Sequence, residues 1–166
     1  MTAAEASGLP PRAIAVAEPT IRDGDAYTAY VRAASPTLAA RRSQVLFATA
    51  TLERLEGERE WTRLVSFAFD SVAAARDWYA SPEYQAAIEL RRVHVDVSLW
   101  FIEQTGEQAV PATPAPGGPP LAYILGQVTE IRDTAPFKEY LAGVAPTLAA
   151  VGARYLSRGG RIEHVE

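Results

Sequence analysis

Apolar residues along the chain fall into two rhythms, one of period two and one of period three to four. Tyr27, Tyr30, Val31, Ala34 and Leu38 are spaced by threes and fours, which predicts a helix with one apolar stripe. Phe137, Tyr140, Leu141, Val144 and Leu148 repeat that spacing. Short apolar strands are expected before each helix, over Ala13–Ala17 and Ala122–Val128, with an Asp-containing turn between. Second strands are expected after each helix, over Gln44–Thr51 and Arg154–Arg158. Pro36 and Pro146 interrupt the helical runs and predict a kink or a restarted turn.

The two βαβ units are copies of one another. Residues from Ala13 to Glu56 recur without a gap between Ala122 and Glu166. At an offset of 110, Ile14, Ile21-Arg22-Asp23, Tyr30, Pro36-Thr37-Leu38-Ala39-Ala40, Glu53 and Glu56 all find themselves again. Twelve identities over about 44 ungapped positions make a duplication, not a coincidence.

A different βαβ lies between the copies. Trp61–Phe69 reads as a buried strand. Ser71 caps a helix over Val72–Tyr79, and Ser81-Pro82-Glu83 restarts it toward Arg92 with a capping Ser and a Pro at the first helical position. Val93–Ile102 alternates cleanly as a strand. Gln104–Pro120 carries five prolines and three glycines, the composition of a linker. The organisation expected is a tail (1–12), an α+β domain of ferredoxin-like βαββαβ pattern (13–103), the linker (104–120) and a second, partial repeat (121–166) that is a βαβ half-unit.

Composition narrows the class. A 48% apolar and 22% charged chain is that of a globular protein. The net charge of -4, with no basic run beyond Arg41-Arg42 and Arg91-Arg92, argues against a nucleic-acid partner. The absence of cysteine excludes disulfides, thiolate nucleophiles and Cys-held metal sites. His94 and His164 carry no metal-ligand spacing, and no phosphate loop or nucleophile elbow appears, so neither metal nor cofactor is expected. With no signal-like start and no stretch of membrane-spanning length, a cytoplasmic protein without a membrane partner is the plain expectation.

Several segments together resemble domain of unknown function 1330, in the dimeric α/β-barrel superfamily. They are Tyr27, Tyr30 and Pro36-Thr37-Leu38; Ala73-Ala74-Ala75-Arg76-Asp77-Trp78-Tyr79; Ser81-Pro82-Glu83-Tyr84-Gln85; and Leu90-Arg91-Arg92 with Asp96. In the second copy Phe137, Tyr140, Pro146-Thr147-Leu148 and Arg158-Gly159-Gly160 take part. The resemblance implies ferredoxin-like sheets paired into a barrel, through a homodimer or between the two repeats of one chain. The superfamily includes cofactor-free monooxygenases, polyketide cyclases, isomerases and haem-degrading enzymes, so fold alone selects no reaction. Two departures stand out. The first copy has Ala48-Thr49-Ala50 where the second keeps Arg158-Gly159-Gly160. The second also stops at Glu166, ahead of a Trp61-like strand, so either the chain continues or the half-unit pairs with another chain.

Alternation sorts the candidate chemistry. Val93, Val95, Val97, Leu99 and Phe101 should meet the helices, leaving His94, Asp96, Ser98 and Trp100 on a barrel-lining face. On the first strand Ile14 and Val16 are assigned to the helices and Ala13, Ala15 and Ala17 to the barrel; in the second copy Tyr123, Leu125 and Gln127 point inward. His94 and Asp96, with Cβ atoms about 6 to 7 Å apart, are placed to touch one ligand and move its protons. Ser98, Trp100, Tyr123, Gln127 and Arg158 are expected to shape the cavity, Trp100 as a flat surface for an aromatic ligand. For Arg158-Gly159-Gly160 a tight turn using positive glycine φ outweighs anion binding. Arg91 and Arg92 suit the negative end of a helix, and Trp78, Tyr79 and Tyr84 suit a core.

The reading is a cofactor-independent enzyme of cyclase or isomerase type acting on a small hydrophobic, aromatic or polyketide-like molecule. Its rivals are a non-catalytic binding or assembly module and a cofactor-free monooxygenase.

Overall fold

The computed structural model describes residues 12–104, 122–153, 155–157 and 160–166. The tail before Arg12, most of the linker, and Arg154, Arg158 and Gly159 lie outside the described residues. Contacts divide the chain into two units, residues 1–107 joined by 157–166, and residues 108–156.

The first unit follows the βαββαβ order, with β1 Ala13–Ile21, α1 Gly24–Ala40, β2 Gln44–Thr49, β3 Leu64–Phe69, α2 Val72–Tyr79, α3 Pro82–Glu89 and β4 Val95–Glu103. Local chemistry sets the helix starts. Asp23 accepts from the backbone N–H of Asp25 (2.9 Å) and Ala26 (3.0 Å), Ser71 from Ala74 (3.0 Å) and Ser81 from Tyr84 (3.4 Å), with Pro82 at the first helical position. Contrary to the expected interruption, α1 runs unbroken through Pro36. The hydroxyls of Ser35 and Thr37 donate to the carbonyls of Val31 (2.7 Å) and Ala34 (2.7 Å), side-chain bonds inside the turn that proline disturbs.

All strand pairs are antiparallel, in the order β2-β3-β1-β4, and a fifth strand, β5 (Ile162–His164), is added beside β4. β5 was not foreseen. It belongs to the second copy of the repeat, yet it lies in the first unit's sheet. Its attachment extends past the ladder: Glu103 N–H donates to Arg161 O (2.9 Å), Val165 N–H to Leu99 O (2.8 Å) and Leu99 N–H to Glu166 O (2.8 Å). Arg76 of α2 also forms a two-pronged ion pair with Glu163.

Gly160 makes the approach possible. A Cβ there would collide with the carbonyl oxygen of Glu103. Gly160 serves close backbone contact and has no positive φ; Arg158 and Gly159 of the expected turn lie outside the described residues. At the offset of 110 its counterpart in the first copy is Ala50, which carries the very atom the approach forbids.

The register corrects the face assignment of β1. Ala13, Ala15 and Ala17 stand opposite Phe69, Phe67 and Val65 on one side and Glu103, Phe101 and Leu99 on the other. Paired residues share a face, so these alanines lie beneath the helices. There they join a core of Ala34, Leu38, Phe69, Ala75, Trp78, Tyr84, Ile88, Leu99 and Phe101. Small strand residues leave room for Trp78, whose ring centroid lies 3.9 Å from Tyr84 and 5.3 Å from Phe69. Its Nε1–H donates to Thr37 Oγ1 at 3.0 Å, tying α2 to α1. Ile14 and Val16 therefore occupy the outer face, away from the helices.

In the second unit the only helix among the described residues is α4, Thr134–Ala150, capped by Asp133 through Ala135 N–H (3.0 Å) and continuous through Pro146. None of its residues is buried. The strand expected over Ala122–Val128 does not form. A strand's backbone groups need a neighbouring strand, and none stands beside these residues within the described part of this unit. Of the strand expected over 154–158 the described residues 155–157 are not extended into a ladder.

Candidate functional site

The outer face of the sheet carries the residues that sequence patterning singled out, in part. Down β4, Asp96, Ser98, Trp100 and Ile102 stand opposite Thr20, Glu18, Val16 and Ile14 of β1, and Ser66 and Ala68 of β3 continue the rows from Val16 and Ile14. The middle of this face is apolar and buried, at Ile14, Val16, Leu64 and Ala68. Ser66, buried among them, is satisfied by donating to Ala15 O at 3.0 Å. Polar groups collect toward the Asp96 end. The result is a buried apolar floor with a polar rim at its Asp96 end.

Trp100 is half-buried on that floor. The guanidinium of Arg59, from the β2–β3 loop, lies 5.6 Å from the centre of its ring and 5.8 Å from that of Trp61, a cation–π arrangement. Arg59 also forms an ion pair with Glu18. His164 of β5 stands directly across from Trp100, ring centroids 5.6 Å apart. Arg59 was not singled out from the sequence, and His164, near the chain end, shows no visible partner there. One sits in an irregular loop and the other on a strand only the three-dimensional pairing creates.

His94 and Asp96 do not share a strand face. β4 begins at Val95, and His94 lies in the preceding turn, where Arg91 O accepts from both His94 N–H and Val95 N–H at 2.8 Å. That turn also leaves Val93 exposed at 75%, not against the helices as alternation had it. The His94 imidazole faces a different carboxylate, with Nδ1 3.8 Å from Asp23 Oδ2. Asp23 is held below the usual carboxylate range by the N–H groups of Ala26 and Asp25 at the head of α1, with His94 adding a smaller pull. Asp96 receives both prongs of Arg22, on a pair of side chains about 60% exposed. The two residues thus belong to adjacent but separate pairs at one corner of the sheet.

The other expected site residues are placed as follows. Ser98 is half-buried in the row between Asp96 and Trp100. Tyr123, half-buried, and Gln127, exposed, belong to the second unit. Arg158 lies outside the described residues. Among the described residues no group of three or more His, Asp or Glu side chains is arranged to hold a metal ion. No helix among them is long and apolar enough to cross a membrane.

Comparison with known proteins agrees with this architecture. The model of the DUF1330 family, a domain of unknown function, matches residues 12–105 and 121–166. This chain belongs to that family. The two matched segments are separated by the linker and contain the two copies of the repeat. Among solved structures, methylated RPA0582 protein is similar at 21% identity, with 63% of this chain and 89% of that chain covered and a TM-score of 0.50. RPA0582 from Rhodopseudomonas palustris, a protein of unknown function, gives 21% identity, 66% and 89% coverage and a TM-score of 0.49. SnoaB, a cofactor-independent oxygenase from Streptomyces nogalater, shares 14% identity over 61% of this chain and 99% of its own, with a TM-score of 0.43. At such identities the likeness concerns the ferredoxin-like fold alone. No curated protein matches the sequence at a significant level.

Proposed function

We propose that this DUF1330 chain binds a small, planar, hydrophobic molecule on the outer face of its sheet, against Trp100. The observation that carries this reading is the Trp100–Arg59 stack over an apolar floor. An indole lying on such a floor offers a flat surface to an aromatic or polyene ligand. Arg59, drawn from a loop, is positioned to answer an acidic or carbonyl substituent of that ligand. Ser98 and the Arg22–Asp96 pair supply polar contacts at the rim.

Catalysis without a cofactor is the second reading, favoured by one observation. The His94 imidazole stands beside the Asp23 carboxylate, an arrangement that orients a ring for proton transfer in cyclisation, isomerisation or dehydration. In this reading Asp96 acts with Arg22 on the ligand's polar end, as a positioning group.

The test uses the intact chain and a panel of planar aromatic acids and quinones, followed by quenching of tryptophan fluorescence. Trp100→Ala should abolish binding and Arg59→Ala should weaken it, mostly for acidic members. Undiminished binding in Trp100→Ala would overturn the assignment. For any ligand that is turned over, His94→Ala retaining full kcat removes the catalytic reading and leaves the binding one.

A further inference from the structure

A second cluster lies on the helix side of the sheet and is untouched by the reading above. Arg91 follows α3 and is 1% exposed. Its Nη2 donates to Glu166 Oε2 at 2.6 Å, and Tyr79 OH donates to the same oxygen at 3.2 Å. The guanidinium carbon lies 5.1 Å from the centre of the Tyr30 ring, and the Tyr30 and Tyr84 hydroxyls are hydrogen-bonded at 2.8 Å. Burial works against the charge on Arg91, but the hydrogen bond it donates to the Glu166 carboxylate, together with that carboxylate's charge, outweighs the cost and keeps the guanidinium protonated.

What the guanidinium lacks is as telling. Its Nε is buried with no hydrogen-bond partner. Arginine presents Nε and Nη as a fork that matches the two oxygens of a carboxylate. On the preceding helix the same chain shows the full fit, where Arg76 gives Nε to one oxygen of Glu163 and Nη2 to the other. Glu166, tethered through β5, reaches Arg91 with one oxygen and leaves half of the fork unused. A carboxylate free of that tether would take both nitrogens and the Tyr79 hydroxyl together. It would lie among the rings of Tyr30, Tyr79 and Tyr84.

We propose that Arg91 and Tyr79 form a binding site for a small organic carboxylate, aromatic or short-chain, and that Glu166 is its internal competitor. The side chain of Glu166 holds the site when no ligand is present, and ligand binding displaces it. Because Glu166 stands two residues beyond the end of β5, occupancy of this site loosens the end of that strand.

Benzoate serves as the probe and benzamide as its neutral counterpart, titrated into the full chain by calorimetry and by NMR of the backbone amides. Glu166→Gln should bind benzoate about tenfold more tightly than the wild type, the gain expected from removing one charged competitor for an arginine. Benzamide should not bind. Arg91→Met in the Glu166→Gln background should abolish benzoate binding, and Tyr79→Phe should weaken it severalfold. The tyrosine variant removes one hydroxyl only and keeps the test alive should the arginine variant fail to fold. Every benzoate titration is made in the Trp100→Ala background, which removes the outer-face surface for aromatic acids and isolates this site from it. Equal benzoate affinity in wild type and Glu166→Gln, no benzoate binding to Glu166→Gln, or full affinity after Tyr79→Phe would each overturn the proposal.

Discussion

Gly160→Ala tests the attachment of the second repeat's tail with a single methyl group. The added Cβ would lie inside the van der Waals envelope of the Glu103 carbonyl, whose oxygen and carbon are backbone atoms that cannot swing away; Ser157 Oγ comes next, at 3.3 Å. The backbone must separate, and the first bond to go is Glu103 N–H to Arg161 O (2.9 Å). Separation carried further would also break the Leu99–Val165 and Leu99–Glu166 bonds, each 2.8 Å. A backbone hydrogen bond contributes about 0.5–1.5 kcal/mol net, so the expected loss runs from that amount for the first bond to about 1.5–4.5 kcal/mol if all three open. For a domain of this size that corresponds to a fall in Tm of roughly 4–8 °C per kcal/mol. Native-state hydrogen exchange gives the sharper assay, because the loss is local. Exchange of the Leu99 and Glu103 amides should accelerate by about tenfold for each 1.4 kcal/mol lost. Amides of β3 should keep their wild-type rates. Unchanged exchange at Leu99 and Glu103 in Gly160→Ala would refute the close approach and, with it, the account of why the first copy, bearing Ala50, does not supply a fifth strand.

Other substitutions probe the layers around the site. Ala15→Leu should destabilise by about 1–3 kcal/mol in urea denaturation, because Ala15 is fully buried beneath the helices and has no room for a larger side chain; a neutral effect would return Ala15 to the outer face. Thr37→Val deprives the buried Trp78 Nε1–H of its acceptor and should cost about 1–3 kcal/mol with altered near-UV dichroism, whereas Thr37→Ser should be mild. Asp23, whose carboxyl is held below its ordinary value, adds stability that is present above about pH 4 and is lost as pH falls through its lowered folded-state value. The Tm of Asp23→Asn, which keeps a capping oxygen without a titrating group, should therefore converge on that of the wild type between about pH 5 and pH 2, and a gap independent of pH would contradict the assignment.

Much of the fold was legible because its signals are local. The capping residues Ser71 and Ser81-Pro82, the Tyr27-to-Leu38 stripe and the alternation after Val95 each specify an element without reference to distant partners. β1 shows the limit of that reasoning. Its run Ala-Ile-Ala-Val-Ala alternates in size but not in polarity, so either face satisfies burial, and only Trp78 above it decides that the small side takes the helices. His94 was drawn into the strand because alternation extends smoothly through it, while the bonds closing the turn at Arg91 are invisible in one dimension. Strand β5 is three residues long and exists because β4 offers an edge, information that resides some 60 residues earlier in the chain. The site followed the same rule. Trp100 and Ser98 could be placed by periodicity, but Arg59 and Arg91 acquire meaning only from what folds against them.

The fifth strand also bears on how this chain behaves in a crowded solution. A sheet with a bare, regular edge invites the strands of other molecules and seeds aggregates. Here the tail occupies β4 from Leu99 to Glu103, and the opposite margin, β2, is short and broken by a register shift between Val45 and Phe47. Both margins are thus poor templates for further growth. A chain relieved of residues 157–166 would expose the outer edge of β4, lose Val165 from the margin of the core and leave buried Arg91 without Glu166, and should self-associate more readily than the full chain at equal concentration. In that sense the duplicated segment closes a sheet margin, a use of duplication that needs no chemistry of its own.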